Sequence, residues 1–286
     1  MSQYSHVTAP TQYVAAGGIR FAYRSFGPES GTPLIFLQHF RGGMDHWDPL
    51  VTDGLAANRP VILFDNAGVA GSSGETPDTL EALADHAAEF VRALGLPLVD
   101  VLGLSIGGGV AQALALRHPA LVRRLVIVGA KPRAGEDEGT HPDIIEVATR
   151  HEVPTLEDFL YLFFGPSPAG QAAGRAFWER RHQRVVDVDP PTSQQTMKAQ
   201  LAAIVEWNQQ RGERYAELGR ITQPALVVNG SRDIMAPTVN SYIMAQHLPN
   251  AELIVYPDSG HGSLFQYPEL FVHHVDRFLG TDVAFT

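Results

Sequence analysis

Cysteine is absent from this chain of 286 residues. That excludes disulfides, thiolate zinc sites and a cysteine nucleophile together. Basic residues are scarce as well: 21 Lys and Arg stand against 31 Asp and Glu, for a net charge of −10. They form nothing beyond pairs such as Arg123-Arg124 and Arg180-Arg181, whereas a surface that tracks phosphates needs clustered cations. Nucleic acid is therefore not an expected partner. Long apolar runs are missing too. Stretches such as Pro33 to Leu37 fall far short of the roughly 20 residues a membrane span requires. Met1 to Pro10 has neither an apolar core nor a basic start, so no secretory signal is visible. The expectation is a soluble, cytoplasmic protein without a membrane partner.

What is present is material for a large core. Hydrophobic residues make up 44% of the chain and charged residues only 18%, which carries no signature of disorder. Tyr13-Val14-Ala15 and Ile19 to Tyr23 flank a Gly17-Gly18 turn and read as a hairpin. Four short apolar runs follow, Leu34–Leu37, Val61–Phe64, Val99–Leu104 and Leu125–Val128, of the kind found in strands buried on both faces. Between them Leu80, Leu83, Ala87, Val91 and Leu94 form one helical stripe, and Val110, Ala113 and Leu114 begin another. Strand alternating with helix predicts an α/β protein with a mostly parallel, eight-stranded sheet. From Lys131 to Thr222 the rhythm lapses into helix formers and aromatics, including Phe159, Phe163, Phe177, Trp178 and Trp207. It resumes with the strands Ala225–Val228 and Leu253–Tyr256, a helix near Val239 to Leu248 and another near Leu264 to Leu279. The expected organisation is a core of residues 1–130 and 223–286 interrupted by a helical cap of residues 131–222.

The strongest chemical signal is Gly103-Leu104-Ser105-Ile106-Gly107, directly after a strand and opening a helix. At such a junction a G-x-S-x-G turn is tight enough to lift the serine above the sheet. A serine hydroxyl is a weak nucleophile until a histidine takes its proton, and that histidine needs an acid to hold its tautomer. Catalytic groups in a parallel sheet sit on loops at the carboxyl ends of strands. Asp233 and His261 both meet that requirement. Asp258 lies three residues before His261, but Pro257-Asp258-Ser259-Gly260 reads as turn chemistry, and Gly129-Ala130-Lys131 offers no carboxylate after the sixth strand. His273-His274 reads as a solvated pair. No metal-ligand spacing, P-loop or dinucleotide turn is found, so neither metal nor cofactor is expected.

With these residues in place, the chain resembles the α/β-hydrolases over nearly its whole length. Gln38-His39-Phe40-Arg41-Gly42-Gly43 is similar to that family's His-Gly loop, and Asp65 to Ser73 to its Asp-x-x-Gly-x-Gly-x-Ser segment. Two positions depart: Phe40 replaces the usual glycine, and Ala70 stands where the second segment more often has a glycine-flanked Arg or His. The resemblance implies an oxyanion hole of two backbone N–H groups, from Ile106 and from Arg41. The Arg41 side chain is expected to fold outward toward Asp45 or Asp48, because an unpaired charge in an apolar pocket is costly.

The expected chemistry is acyl transfer from an ester, lactone or thioester to water, with Ser105, His261 and Asp233 as nucleophile, base and orienter. Phe40, Phe163 and Trp207 are expected to border a small or medium, mainly apolar substrate. A serine at the elbow argues against the aspartate-dependent epoxide hydrolases and haloalkane dehalogenases of the family. Cofactor-free perhydrolysis or haloperoxidation, C–C bond cleavage and a slow ligand receptor remain open on the same scaffold.

Overall fold

The apolar runs pair into one sheet in the computed structural model of the chain, which describes residues 4–280. Its strands are β1 (Gln12–Ala16), β2 (Ile19–Phe26), β3 (Leu34–Leu37), β4 (Val61–Phe64), β5 (Val99–Leu104), β6 (Val122–Val128), β7 (Ala225–Gly230) and β8 (Ala251–Tyr256). Their spatial order is β1-β2-β4-β3-β5-β6-β7-β8. The hairpin β1–β2 joins antiparallel, β2 also meets β4 antiparallel, and every other pairing is parallel.

Every residue of β3, β4 and β5 is buried, which is why these strands lack the alternation of a half-exposed sheet. Helices cover both faces: α1 (Pro49–Ala56), α2 (Leu80–Ala93) and α3 (Ile106–Arg117) before the sixth strand. The α2 stripe works as its spacing predicts, burying Leu80, Leu83, Ala87 and Val91, each large side chain worth about 1.5–3 kcal/mol.

Between β6 and β7 the described residues form no strand. This insertion carries α4 (Ile144–Thr149), α5 (Leu156–Phe163), α6 (Pro168–Arg181) and α7 (Gln194–Trp207). It is clasped to the sheet by Arg24 on β2, whose guanidinium pairs with Asp45 and, at 2.6 Å, with Asp189 beyond α6. After β7 come α8 (Val239–His247), α9 (Ser263–Gln266) and α10 (Pro268–Gly280). The single helix expected near 264–279 is thus broken in two. Pro268 supplies no N–H and pushes Tyr267 out of the helical region, to φ −124° and ψ 55°. On α10 His273 is exposed, but His274 is half-buried and its Nδ1 meets the Tyr256 hydroxyl at 2.8 Å.

Candidate active site

Sterics alone account for the Gly-x-Ser-x-Gly spacing. A Cβ on Gly103 would lie 2.2 Å from the Gly107 carbonyl oxygen, and one on Gly107 would lie 2.1 Å from that of Leu37. Only hydrogen fits at either place, so β5, the turn and α3 can crowd together. Ser105 itself is forced to φ 60° and ψ −122°, a region unfavourable to an L-residue and characteristic of strained functional turns. Its N–H donates to the Val128 carbonyl at 2.9 Å, and its carbonyl accepts from Gly108 and Gly109. The side chain is left half-buried at the top of the sheet.

The loops after β7 and β8 bring the two other expected residues together. Asp233 accepts the N–H groups of Met235 at 2.8 Å and Ala236 at 2.9 Å on Oδ1, while Oδ2 meets His261 Nδ1 at 2.8 Å. A carboxylate can only accept, so Nδ1 carries the hydrogen and Nε2 keeps its lone pair. That Nε2 is buried and has no hydrogen-bond partner, although His261 is only 1% exposed. Asp258 is elsewhere: it adopts a left-handed φ of 45° and lies, partly exposed, 3.4 Å from Arg232.

Ser105 and His261 border one cavity of about 440 Å³ together with Ile106, Phe40, Leu80 and Trp207. Its opposite wall comes from the insertion, through Ile144, Ile145 and Ala148 of α4 and Leu201 and Ile204 of α7. Phe40 and Trp207, two of the residues expected beside a substrate, border this cavity. Phe163 does not. It borders a separate space of about 30 Å³ beside Ser105 and sets its ring edge against His261, 5.3 Å between centroids. Its carbonyl also accepts the Gly262 N–H at 2.7 Å. Phe163 thus braces the histidine loop instead of lining the larger cavity.

The expectation for Arg41 needs correction at both ends of the residue. Its N–H donates to Gln200 Oε1 on α7 at 2.8 Å, so it is not free to serve as the expected oxyanion donor. Arg41 has φ 61°, and this left-handed turn directs its amide to the insertion. Among the described residues, the N–H groups of Phe40 and Ile106 donate to no protein acceptor, and both residues border the cavity. The free donor in this loop is therefore one residue earlier than counting from His39 suggested. Nor does the guanidinium reach Asp45 or Asp48, which are held by Arg24 and, at 2.6 Å, by Arg180. It turns inward and caps α4 by donating to the carbonyls of Ala148 at 2.9 Å, His151 at 3.0 Å and Glu152. Arg41→Ala is accordingly expected to lower stability by about 1.5–3 kcal/mol, measured by urea unfolding. Its relative KM for neutral and carboxylate-bearing esters of equal size should stay that of the wild type, and a selective rise on the charged ester would contradict this placement.

Asp65 and His39, which the sequence places in the two family-like segments, support the loop, as does Gln200, which it did not single out. Asp65, at the end of β4 and fully buried, accepts Met44 N–H and Gly71 N–H at 3.0 Å each; burial pushes its carboxyl well above the usual range. His39 is buried against Phe159 and Phe163, and burial pushes it down to about 3. It is a neutral packing element. No local pattern marks Gln200. Among the described residues, no group of three or more His, Asp or Glu could hold a metal ion, and no helix is long and apolar enough to cross a membrane.

Fold and sequence agree on the class. Residues 32–268 match the α/β-hydrolase fold family, and the chain belongs to it. Among solved structures it is similar to an α/β-hydrolase fold protein from Chitinophaga pinensis, at 44% identity and a TM-score of 0.92 over 97% of this chain and 100% of that one. Among curated proteins it is 31% identical to the pimeloyl-[acyl-carrier protein] methyl ester esterase of Nitrosomonas europaea, across 86% of this chain and 95% of the relative. A putative carbamate hydrolase, RutD, of Agrobacterium fabrum is 27% identical across 88% and 94%.

Proposed function

We propose that the chain is a serine hydrolase that cleaves carboxylic esters, or the related lactones and thioesters, of small to medium apolar substrates. The observation that carries this reading is a strained Ser105 sharing a cavity wall with His261, whose Nδ1 is held by Asp233 and whose buried Nε2 is unpartnered. The methyl ester esterase among the relatives supports an ester as the bond attacked.

In this mechanism Ser105 Oγ attacks the acyl carbon while His261 Nε2 takes its proton. The carbonyl oxygen becomes an oxyanion held by the N–H groups of Ile106 and Phe40, each such donor worth roughly 2.7–4 kcal/mol. The tetrahedral adduct collapses, His261 returns the proton to the departing alkoxide, and an acyl-serine remains. Water then repeats the sequence, releasing the acid and restoring Ser105. The insertion acts as a cap whose α4 and α7 side chains limit acyl size.

The test is a fluorophosphonate probe followed by peptide mapping, with a panel of p-nitrophenyl esters on the unlabelled chain. A single label at Ser105 and many turnovers per chain are expected. Labelling at another serine, or one turnover only, rejects the proposal.

A further inference from the structure

A second cavity, of about 250 Å³, lies between the insertion and the loop after β3. It shares Arg41, His46 and Pro154 with the small space beside Ser105. Arg181, the last residue of α6, contributes to its wall and is only 9% exposed. Nε and Nη1 of this side chain are buried without a hydrogen-bond partner, and its guanidinium makes no ion pair among the described residues. The guanidinium carbon lies 4.6 Å from the ring centre of Phe159 and 4.8 Å from that of Trp178. Cation–π contact offsets part of the desolvation cost but satisfies none of the five N–H donors.

The other arginines of this wall and its two aspartates have protein partners. Arg41 donates to three carbonyls through Nη1 and Nη2, which leaves its Nε without an acceptor. Arg184 donates to the carbonyls of His6, Val7, Ala9 and Asp187, and pairs with the Asp187 carboxylate at 3.3 Å. Asp45 and Asp189 share Arg24 and accept each other's backbone N–H at 2.7 and 2.8 Å. His46 is held well below its ordinary value by burial and is neutral. Burial pushes Arg181 down to about 9, so it is still charged at neutral pH. A chain with ten more acids than bases has thus left one buried guanidinium with neither a carboxylate nor a carbonyl to accept from it among the described residues, in the wall of a space large enough for a short organic acid.

We propose that this cavity is a binding site for a carboxylate, with Arg181 as its anchor. A single negative charge suits it better than a phosphate near −2, because one cation is free and Asp45, Asp189 and Glu152 lie in the same wall. The carboxylate has two sources of the same chemistry: a free small acid, or the far end of an acyl group reaching from Ser105 through the small space between.

The binding test needs no turnover and stands apart from the hydrolase reading. Butyrate and its neutral isostere butyramide are titrated into the full chain, following the indole N–H signal of Trp178 by NMR. A saturable shift with butyrate, at least about tenfold tighter than with butyramide, is expected. Arg181→Gln should abolish that preference, while Arg181→Lys, which keeps the charge and the aliphatic stem, should retain part of it. Kinetics then separates the sources. If KM for a carboxylate-terminated p-nitrophenyl ester rises in Arg181→Gln while that of a neutral ester of equal length does not, the acyl chain supplies the carboxylate; binding without that change identifies a free acid. An unmoved Trp178 signal in wild type overturns the proposal, as does a preference for butyrate that survives in Arg181→Gln. Should Arg181→Gln not fold, a butyrate preference in Arg181→Lys equal to that of wild type does the same.

Discussion

Replacing Ser105 with alanine is expected to lower kcat on any ester that turns over by roughly 10⁴–10⁶, the range seen when a serine nucleophile is removed. The fold should survive. Ser105 Oγ makes no hydrogen bond that holds the turn together; the backbone bonds to Val128, Gly108 and Gly109 do that. Alanine at φ 60° and ψ −122° bears the same strain as serine, so the melting temperature should move little. Steady-state rates on p-nitrophenyl butyrate and a thermal melt on the same sample check both halves. Retained turnover in a folded Ser105→Ala protein would remove the serine from the mechanism.

For Asp233→Asn, a loss on the order of 10⁴ is expected, and the geometry says why the amide cannot escape it. Oδ1 accepts two backbone N–H groups, from Met235 and Ala236, so the asparagine oxygen must take that place. Its NH₂ is then turned toward His261 Nδ1, where Asp233 Oδ2 sat at 2.8 Å. The imidazole answers by accepting at Nδ1 and carrying its hydrogen on Nε2, and it can no longer take the Ser105 proton. Asp258→Asn is the matched control. Its carboxylate is partly exposed and only 3.4 Å from Arg232, an interaction worth at most about 1 kcal/mol, so kcat should scarcely change. The opposite ranking of the two variants would transfer the acid to Asp258.

Much of the architecture was legible because the forces behind it are local. Continuous apolar runs mark strands covered on both faces, and β3 to β6 follow them closely. The helix break at Pro268 was legible in principle, since a missing N–H needs no tertiary context; the apolar pattern running through it hid the break. Gly103 was readable for the same local reason, because the clash it avoids with Gly107 lies within one turn, whereas Gly107 avoids the Leu37 carbonyl of β3. Asp233 and His261 followed from the rule that loops at the carboxyl ends of parallel strands converge.

What the sequence by itself determined, then, is the sheet and the serine turn at the end of β5, since backbone sterics and hydrophobic periodicity act over a few residues. The tertiary structure alone decided which groups were left free. Arg41 loses its N–H to Gln200, 159 residues away, and spends its side chain on the end of α4. Phe163 turns to His261 and away from the larger cavity. Arg181 is left without an acid because Asp45 and Asp48 are already held by Arg24 and Arg180. Competition among buried donors and acceptors is settled by which distant segments pack together, and no spacing along the chain encodes that.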